Sequence, residues 1–210
     1  GKGWLKPYLY GYEFKSGYIG KIAETLPSAL KTVADGLDPY LQKIDYRGPF
    51  SSEVIIHKGV SYLIDYTARM PFPLSVAYTE LIDNYSDVIY KTACGETVDL
   101  KMRGEYIGLL PLFSDYGKNH WLPIQVKPED RKYVKFQTVA KHEGVYYVVQ
   151  GLNNVVNLVA VGESVEAVCK SLEESIDKVH GHDLDAMNAT GALTKIQQTI
   201  KEGVKAGIPF

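Results

Sequence analysis

Tyr46-Arg47-Gly48-Pro49-Phe50-Ser51-Ser52-Glu53-Val54-Ile55-Ile56-His57-Lys58-Gly59-Val60-Ser61-Tyr62-Leu63-Ile64-Asp65-Tyr66-Thr67-Ala68-Arg69 is the most informative stretch of this 210-residue chain. Two β-rich runs flank a Lys-Gly turn, and Pro71 and Pro73 close the second run, which predicts a strand–turn–strand unit over 46–73. Side chains alternate across a strand, so Leu63, Asp65, Thr67 and Arg69 share a face, as do Glu53 and Ile55. Glu53 and Asp65 stand directly opposite each other if the loop is odd, with Lys58-Gly59-Val60 as its residues and His57 paired to Ser61. A two-residue Lys58-Gly59 loop would send them to opposite faces, because a one-residue slip inverts every side chain.

Two opposed carboxylates repel each other unless a cation lies between them. Magnesium suits that place, since it takes oxygen ligands and keeps substrate phosphates in its shell. Arg69 has the planar fork that grips phosphate or carboxylate. The same residues also make an ordinary solvated salt-bridge ladder, and spacing alone does not separate the two readings.

The segment resembles the hairpin that ends the ATP-grasp domain of carboxylate–amine ligases of the phosphoribosylamine–glycine ligase type. The resemblance rests on the Tyr46-Arg47-Gly48 opening, the acidic Glu53, the glycine turn, and the closing Asp65-Tyr66-Thr67-Ala68-Arg69. It implies that Glu53 and Asp65 bind magnesium bridging the phosphates of ATP, that Thr67 stands where the family has Asn, and that Arg69 contacts phosphate or acyl-phosphate. It also implies small-molecule carboxylate and amine substrates, and a place in purine biosynthesis. Asp65 is one methylene shorter than the family's Glu, and Thr67 offers a hydroxyl for an amide carbonyl. Met70-Pro71-Phe72-Pro73 replaces the Gly-Asp-Pro-Glu that follows the Arg in glycinamide ligases. Asp65 and Thr67 suit a second reading, a non-catalytic ligase-like binding module with an eroded metal site, and the missing Gly-Asp-Pro-Glu argues against a glycinamide substrate. Val155–Val161, followed by Gly162-Glu163-Ser164-Val165-Glu166-Ala167, resembles the strand, turn and helix of the small domain closing these ligases.

Only 45 residues precede Tyr46, too few for a nucleotide-clasping lid and the domain before it. No Gly-rich phosphate loop replaces them. The expectation is therefore the C-terminal half of a larger ligase, inactive alone and completed by a missing N-terminal half. Glu13 reads as a remnant of the region before the hairpin.

Outside the hairpin, residues 1–20, rich in Gly and Tyr, read as irregular or edge strand. Pro27 opens a helix whose stripe is Leu30, Val33, Ala34, Leu37 and Leu41, with a break near Asp38 from Gly36 and Pro39. Leu74–Ile82 and Asp87–Cys94 read as helices, 104–113 and 132–150 as strands, and 114–131 as a long connection. Ser164 caps a helix over 164–179, and a last helix ends near Gly203. The predicted class is α+β: an antiparallel sheet with packed helices, the C-terminal portion of an ATP-grasp-like fold. Residues 1–103 would hold the end of the ATP-grasp domain and 104–210 a small α+β lobe, sharing a core.

A net charge of -2 and no aromatic–basic stripe argue against nucleic acid as a partner. No apolar run spans a membrane, and the N-terminus has no signal-peptide pattern. Cys94 and Cys169 have no metal spacing and read as buried thiols in a reduced, cytoplasmic setting, with one long-range disulfide left open. The absence of an initiator Met suggests a cut or processed end. His180-Gly181-His182-Asp183 reads as a solvated helix junction, and Trp121, beside His120, as packed under a loop. Lys127, Arg131, Lys132 and Lys135 read as charges guarding a solvated edge strand.

Overall fold

In the computed structural model, which describes residues 3–210, helices and strictly antiparallel strands mix as expected for an α+β chain. The chain opens with a hairpin of β1 (Tyr8–Phe14) and β2 (Gly17–Ala23). This segment was expected to be irregular or edge strand. β1 is indeed the sheet edge, but β2 lies inside the sheet. Lys15 and Ser16 both hold positive φ in the two-residue turn, a conformation that glycine or asparagine usually announces. Helix α1 (Ser28–Lys43) follows and runs unbroken through Pro39. The expected break is absent because Pro39 and Asp35, whose carbonyl loses its partner, are both exposed, which leaves that carbonyl accessible to solvent.

The hairpin strands β3 (Ser51–His57) and β4 (Val60–Thr67) form a separate two-stranded sheet packed on α1. Two short helices come next, α2 (Ser75–Leu81) and α3 (Tyr85–Ala93), then β5 (Tyr106–Phe113). The segment expected as a long connection instead contains β6 (Leu122–Val126) and two short 3-10 turns. Pro123 disguised β6, but it lies exposed on a short strand that alternates buried Leu122 and Ile124 with exposed residues. The strand-like 132–150 region resolves into β7 (Val134–Phe136), β8 (Val139–His142) and β9 (Val145–Val148). The chain finishes with β10 (Asn154–Gly162), α4 (Val165–Ile176), β11 (Val179–His180) and α5 (Ala186–Lys205).

The main sheet has the order β1-β2-β5-β10-β7. Its centre, β5 and β10, is buried on both faces, which is why both strands read as nearly unbroken apolar runs. One face carries Ile107, Leu109 and Val159 against Ala77 and Leu81 of α2. The other sets Leu110, Leu112, Leu158 and Ala160 against Val168 and Leu172 of α4 and Leu193 and Ile196 of α5. At Gly108 a Cβ would stand 2.4 Å from Val168 and 2.7 Å from Leu172, so the missing side chain lets α4 lie close to the sheet. Ser164 caps α4 as its sequence implied, accepting a bond from Ala167 N at 3.1 Å. The second sheet, β11-β6-β9-β8, closes the same core through Leu122, Ile124 and Val148. Residue 103 lies between strands of one sheet, since β2 pairs directly with β5.

Candidate functional site

The β3–β4 turn is tight. Lys58 and Gly59 have φ of 49° and 76°, the left-handed pair that matches the twist of a two-residue hairpin, and glycine takes the second position without strain. His57 pairs with Val60, not with Ser61. The odd loop expected from the sequence is therefore absent, and an unbroken ladder would have thrown Glu53 and Asp65 to opposite faces. A bulge corrects the parity. Val54 pairs with Leu63, but Glu53 pairs with Asp65, which leaves Ile64 as an extra residue in β4. One residue lost at the turn is offset by one gained at the bulge, and the carboxylates stand opposite each other.

Beyond them, Thr67 pairs with Ser51 on the same face. The opposite face turns half-buried Val54, Ile56 and Ser61 toward α1, where Ser61 donates to Ala29 O at 2.9 Å. At the base, Phe50 stacks on Tyr66 at 6.0 Å and meets the edges of Trp4 and Tyr46. The carboxylate face is open to water. Glu53 and Asp65 are exposed, and neither has an ion-pair partner among the described residues. Asp65 Oδ1 accepts from the Tyr66 backbone N–H at 2.8 Å, and Arg69 donates to Met70 O at 3.0 Å.

The hairpin is not alone. Glu13 on β1 has its pKa raised above the ordinary carboxylate value, first by partial burial and then by the charge of Glu53. Nearby on the α2 side of the sheet, burial pushes Tyr78 up to about 12, and Tyr85 donates to Met70 Sδ at 3.8 Å. Among the described residues no three His, Cys, Asp or Glu side chains are gathered closely enough to hold a metal ion by themselves. The hairpin supplies two carboxylates and a hydroxyl. That donor set fits a hard cation whose remaining positions are taken by water and phosphate, the usual manner of magnesium.

The other positions singled out in the sequence behave differently. His182 meets the edge of Tyr116 at 4.7 Å while His120 stacks on the same ring at 4.1 Å, which joins them as an aromatic cluster. Trp121 was expected under a loop but is 51% exposed, because it continues the outward-facing alternation of Pro123 and Gln125 on β6. Cys94 was expected buried and is exposed at the end of α3, whereas Cys169 is buried, and both are free thiols. Lys135 on the edge strand pairs with Glu80, and Arg131 lies over Phe136 at 4.4 Å and Tyr146 at 5.1 Å. These two cations are thus engaged inside the fold. A hollow of about 740 Å³ lies between the Lys15-Ser16 turn, β5 and the start of α5, and another of about 390 Å³ beside Asp83, Tyr85 and Arg103. Neither is lined by Glu53, Asp65, Thr67 or Arg69. No described helix is long and apolar enough to cross a membrane.

No family model matches this sequence, and no curated protein does. Solved structures do match, and they define the class: the chain has the fold of the ATP-grasp ligases. One such structure is phosphoribosylamine–glycine ligase from Thermotoga maritima, with a TM-score of 0.64 and 20% identity, over 80% of this chain and 44% of that one. Urea carboxylase from Kluyveromyces lactis aligns with a TM-score of 0.59 and 11% identity, over 90% of this chain and 17% of that one. N5-carboxyaminoimidazole ribonucleotide synthetase from Thermotoga maritima gives 0.53 and 12%, over 80% and 46%. The chain spans less than half the length of each of these relatives.

Proposed function

We propose that this chain is part of an ATP-dependent carboxylate–amine ligase, of the phosphoribosylamine–glycine ligase kind, and that its β3–β4 hairpin holds the metal–phosphate end of the nucleotide. One observation carries the reading: Glu53 and Asp65 are brought opposite each other by a bulge, exposed, and neither has an ion-pair partner among the described residues. Glu53 and Asp65 would hold magnesium with Thr67 completing the protein's share. The ion, when bound, neutralises charge on the phosphates of ATP during acyl-phosphate formation. Arg69, released from Met70 O, would grip a phosphate or acyl-phosphate oxygen. The carboxylate and amine substrates, the purine-biosynthetic role, the cytoplasmic setting and the remaining half of the ligase belong to this reading as a whole.

A second reading has its own support. Asp65 accepts from the Tyr66 backbone N–H and Arg69 donates to Met70 O, so both are engaged by adjacent backbone, as suits a ligase-like module that binds without catalysis. Calorimetric titration of magnesium with a nucleotide separates the two. Asp65→Asn is expected to weaken binding at least about tenfold, by removing a ligand charge. Equal affinity in the parent chain and the variant would sink the metal assignment.

A further inference from the structure

Helix α5 meets the main sheet along a seam that is loosely packed at one end and fastened at the other. Along its middle, Leu193 and Ile196 are fully buried in the core. At the helix start, the hollow of about 740 Å³ separates α5 from the Lys15-Ser16 turn, so apolar contact there is incomplete. Near the helix end, Gly203 stands against Tyr12 of β1, and a Cβ on it would lie 1.8 Å from the Tyr12 hydroxyl oxygen. That hydroxyl is buried with no hydrogen-bond partner among the described residues, which costs stability in the closed seam.

The fastening is the segment that follows the helix. Ala206 ends α5, Gly207 takes a φ of 86°, and the N–H groups of Gly207 and Ile208 donate to Val204 O and Gly203 O, each at 3.0 Å. This glycine-closed reversal satisfies the last carbonyls of the helix and turns the chain back toward the sheet. The Phe210 ring then meets three tyrosines edge-on: Tyr10 at 5.8 Å and Tyr12 at 5.2 Å on β1, and Tyr106 at 5.9 Å on β5. The Tyr10 hydroxyl donates to Pro209 O at 2.6 Å. One short segment thus grips the end of α5, the edge strand and a central strand. Because β1 is the outermost strand and pairs with β2 alone, it relies on such contacts more than β5 does.

We propose that residues 208–210 are a strap that locks α5 and the β1–β2 hairpin into one cooperative unit, and that its release lets the two open together while the centre of the sheet stays closed. Sub-global opening of this kind belongs to regions with few buried apolar contacts. Tyr10 and Tyr12 share the face of β1 that meets the strap, and alternation puts Glu13 on the other face. The strap therefore also steadies the strand that carries a carboxylate within reach of the charge of Glu53. It is independent of the metal reading of the hairpin.

Hydrogen–deuterium exchange of the whole chain, followed by peptide mass spectrometry, tests the strap in Phe210→Ala and Tyr10→Phe, with circular dichroism confirming that each variant is folded. Phe210→Ala is expected to speed exchange at least about tenfold in β1 and in the last turns of α5 alike, because three ring contacts are lost, while β5 and β10 stay unchanged. Tyr10→Phe keeps the ring and removes one hydrogen bond, so the same segments should exchange about fivefold faster. This milder variant decides the matter if Phe210→Ala does not fold. Acceleration in α5 without β1, acceleration spread evenly over the chain, or none in either variant overturns the proposal.

Discussion

From Ser28 to Thr67 no residue is fully buried, whereas β5 and β10 bury almost every side chain they carry. The two regions obey different rules. The main sheet is a scaffold stabilised by burial on both faces, with α2 on one side and α4 and α5 on the other. The hairpin lobe has one helix behind two strands, an arrangement that is marginal without further packing. Six large apolar side chains of β3 and β4 remain exposed. Exposed apolar surface of this kind is uncommon on a well-packed chain and is found most often at binding sites. Stability and the proposed site are thus divided along the chain: the part that holds the fold is not the part that carries Glu53, Asp65 and Thr67.

The sharpest way to break this comparison is to truncate one apolar residue in each region. Leu172→Ala should cost about 2–5 kcal/mol, because Leu172 is fully buried under the sheet and leaves a cavity. Ile55→Ala should cost less than about 0.5 kcal/mol, since the side chain already faces water. Urea denaturation of both variants measures the difference, and similar losses would mean that the hairpin face is buried in solution. A smaller effect belongs to Ser164→Ala, which removes the α4 cap and should lower stability by about 1 kcal/mol at unchanged m-value.

The smallest effect sharpens the hairpin side. Burial and Glu53 raise the pKa of Glu13 in the folded chain above its unfolded value, so ionised Glu13 opposes folding. That penalty is fully present above the folded pKa and vanishes below the unfolded one. Glu13→Gln should therefore be slightly more stable than the parent at neutral pH, with the advantage shrinking as the pH falls through the acid range. Thermal melts across pH 3–7 read it, and a pH-independent difference would mean that the Glu13 pKa is not raised on folding.

How much of this was legible follows the same division. The core strands announced themselves, since burial on both faces writes long apolar runs such as Tyr106–Phe113. Helix α4 was readable from Ser164 and the helical spacing of Val165, Val168, Cys169, Leu172 and Ile176, and the ATP-grasp-like fold from the residues around Glu53, Asp65 and Arg69. The β1–β2 hairpin was obscured because Lys15 and Ser16 adopt a turn that usually needs glycine, and β6 because it contains Pro123. The site was half readable. The even separation of Glu53 and Asp65 allows them to oppose each other, but it does not show the route. A bulge is a property of two strands together, and no local pattern around Ile64 declares it. Exposure of Trp121 and Cys94 was missed for a related reason: both depend on which side of a distant element is covered.

The turn at Lys58-Gly59 and the bulge at Ile64 act as a matched pair of reading-frame shifts. Either one alone would scramble the face that every later residue of β4 presents, and together they cancel. It follows that the two can drift only in concert: a relative with a loop one residue longer must have lost the extra residue in β4. Its sequence would then carry an insertion and a deletion six or so positions apart, while its acids, its hydroxyl and its arginine kept their places in space.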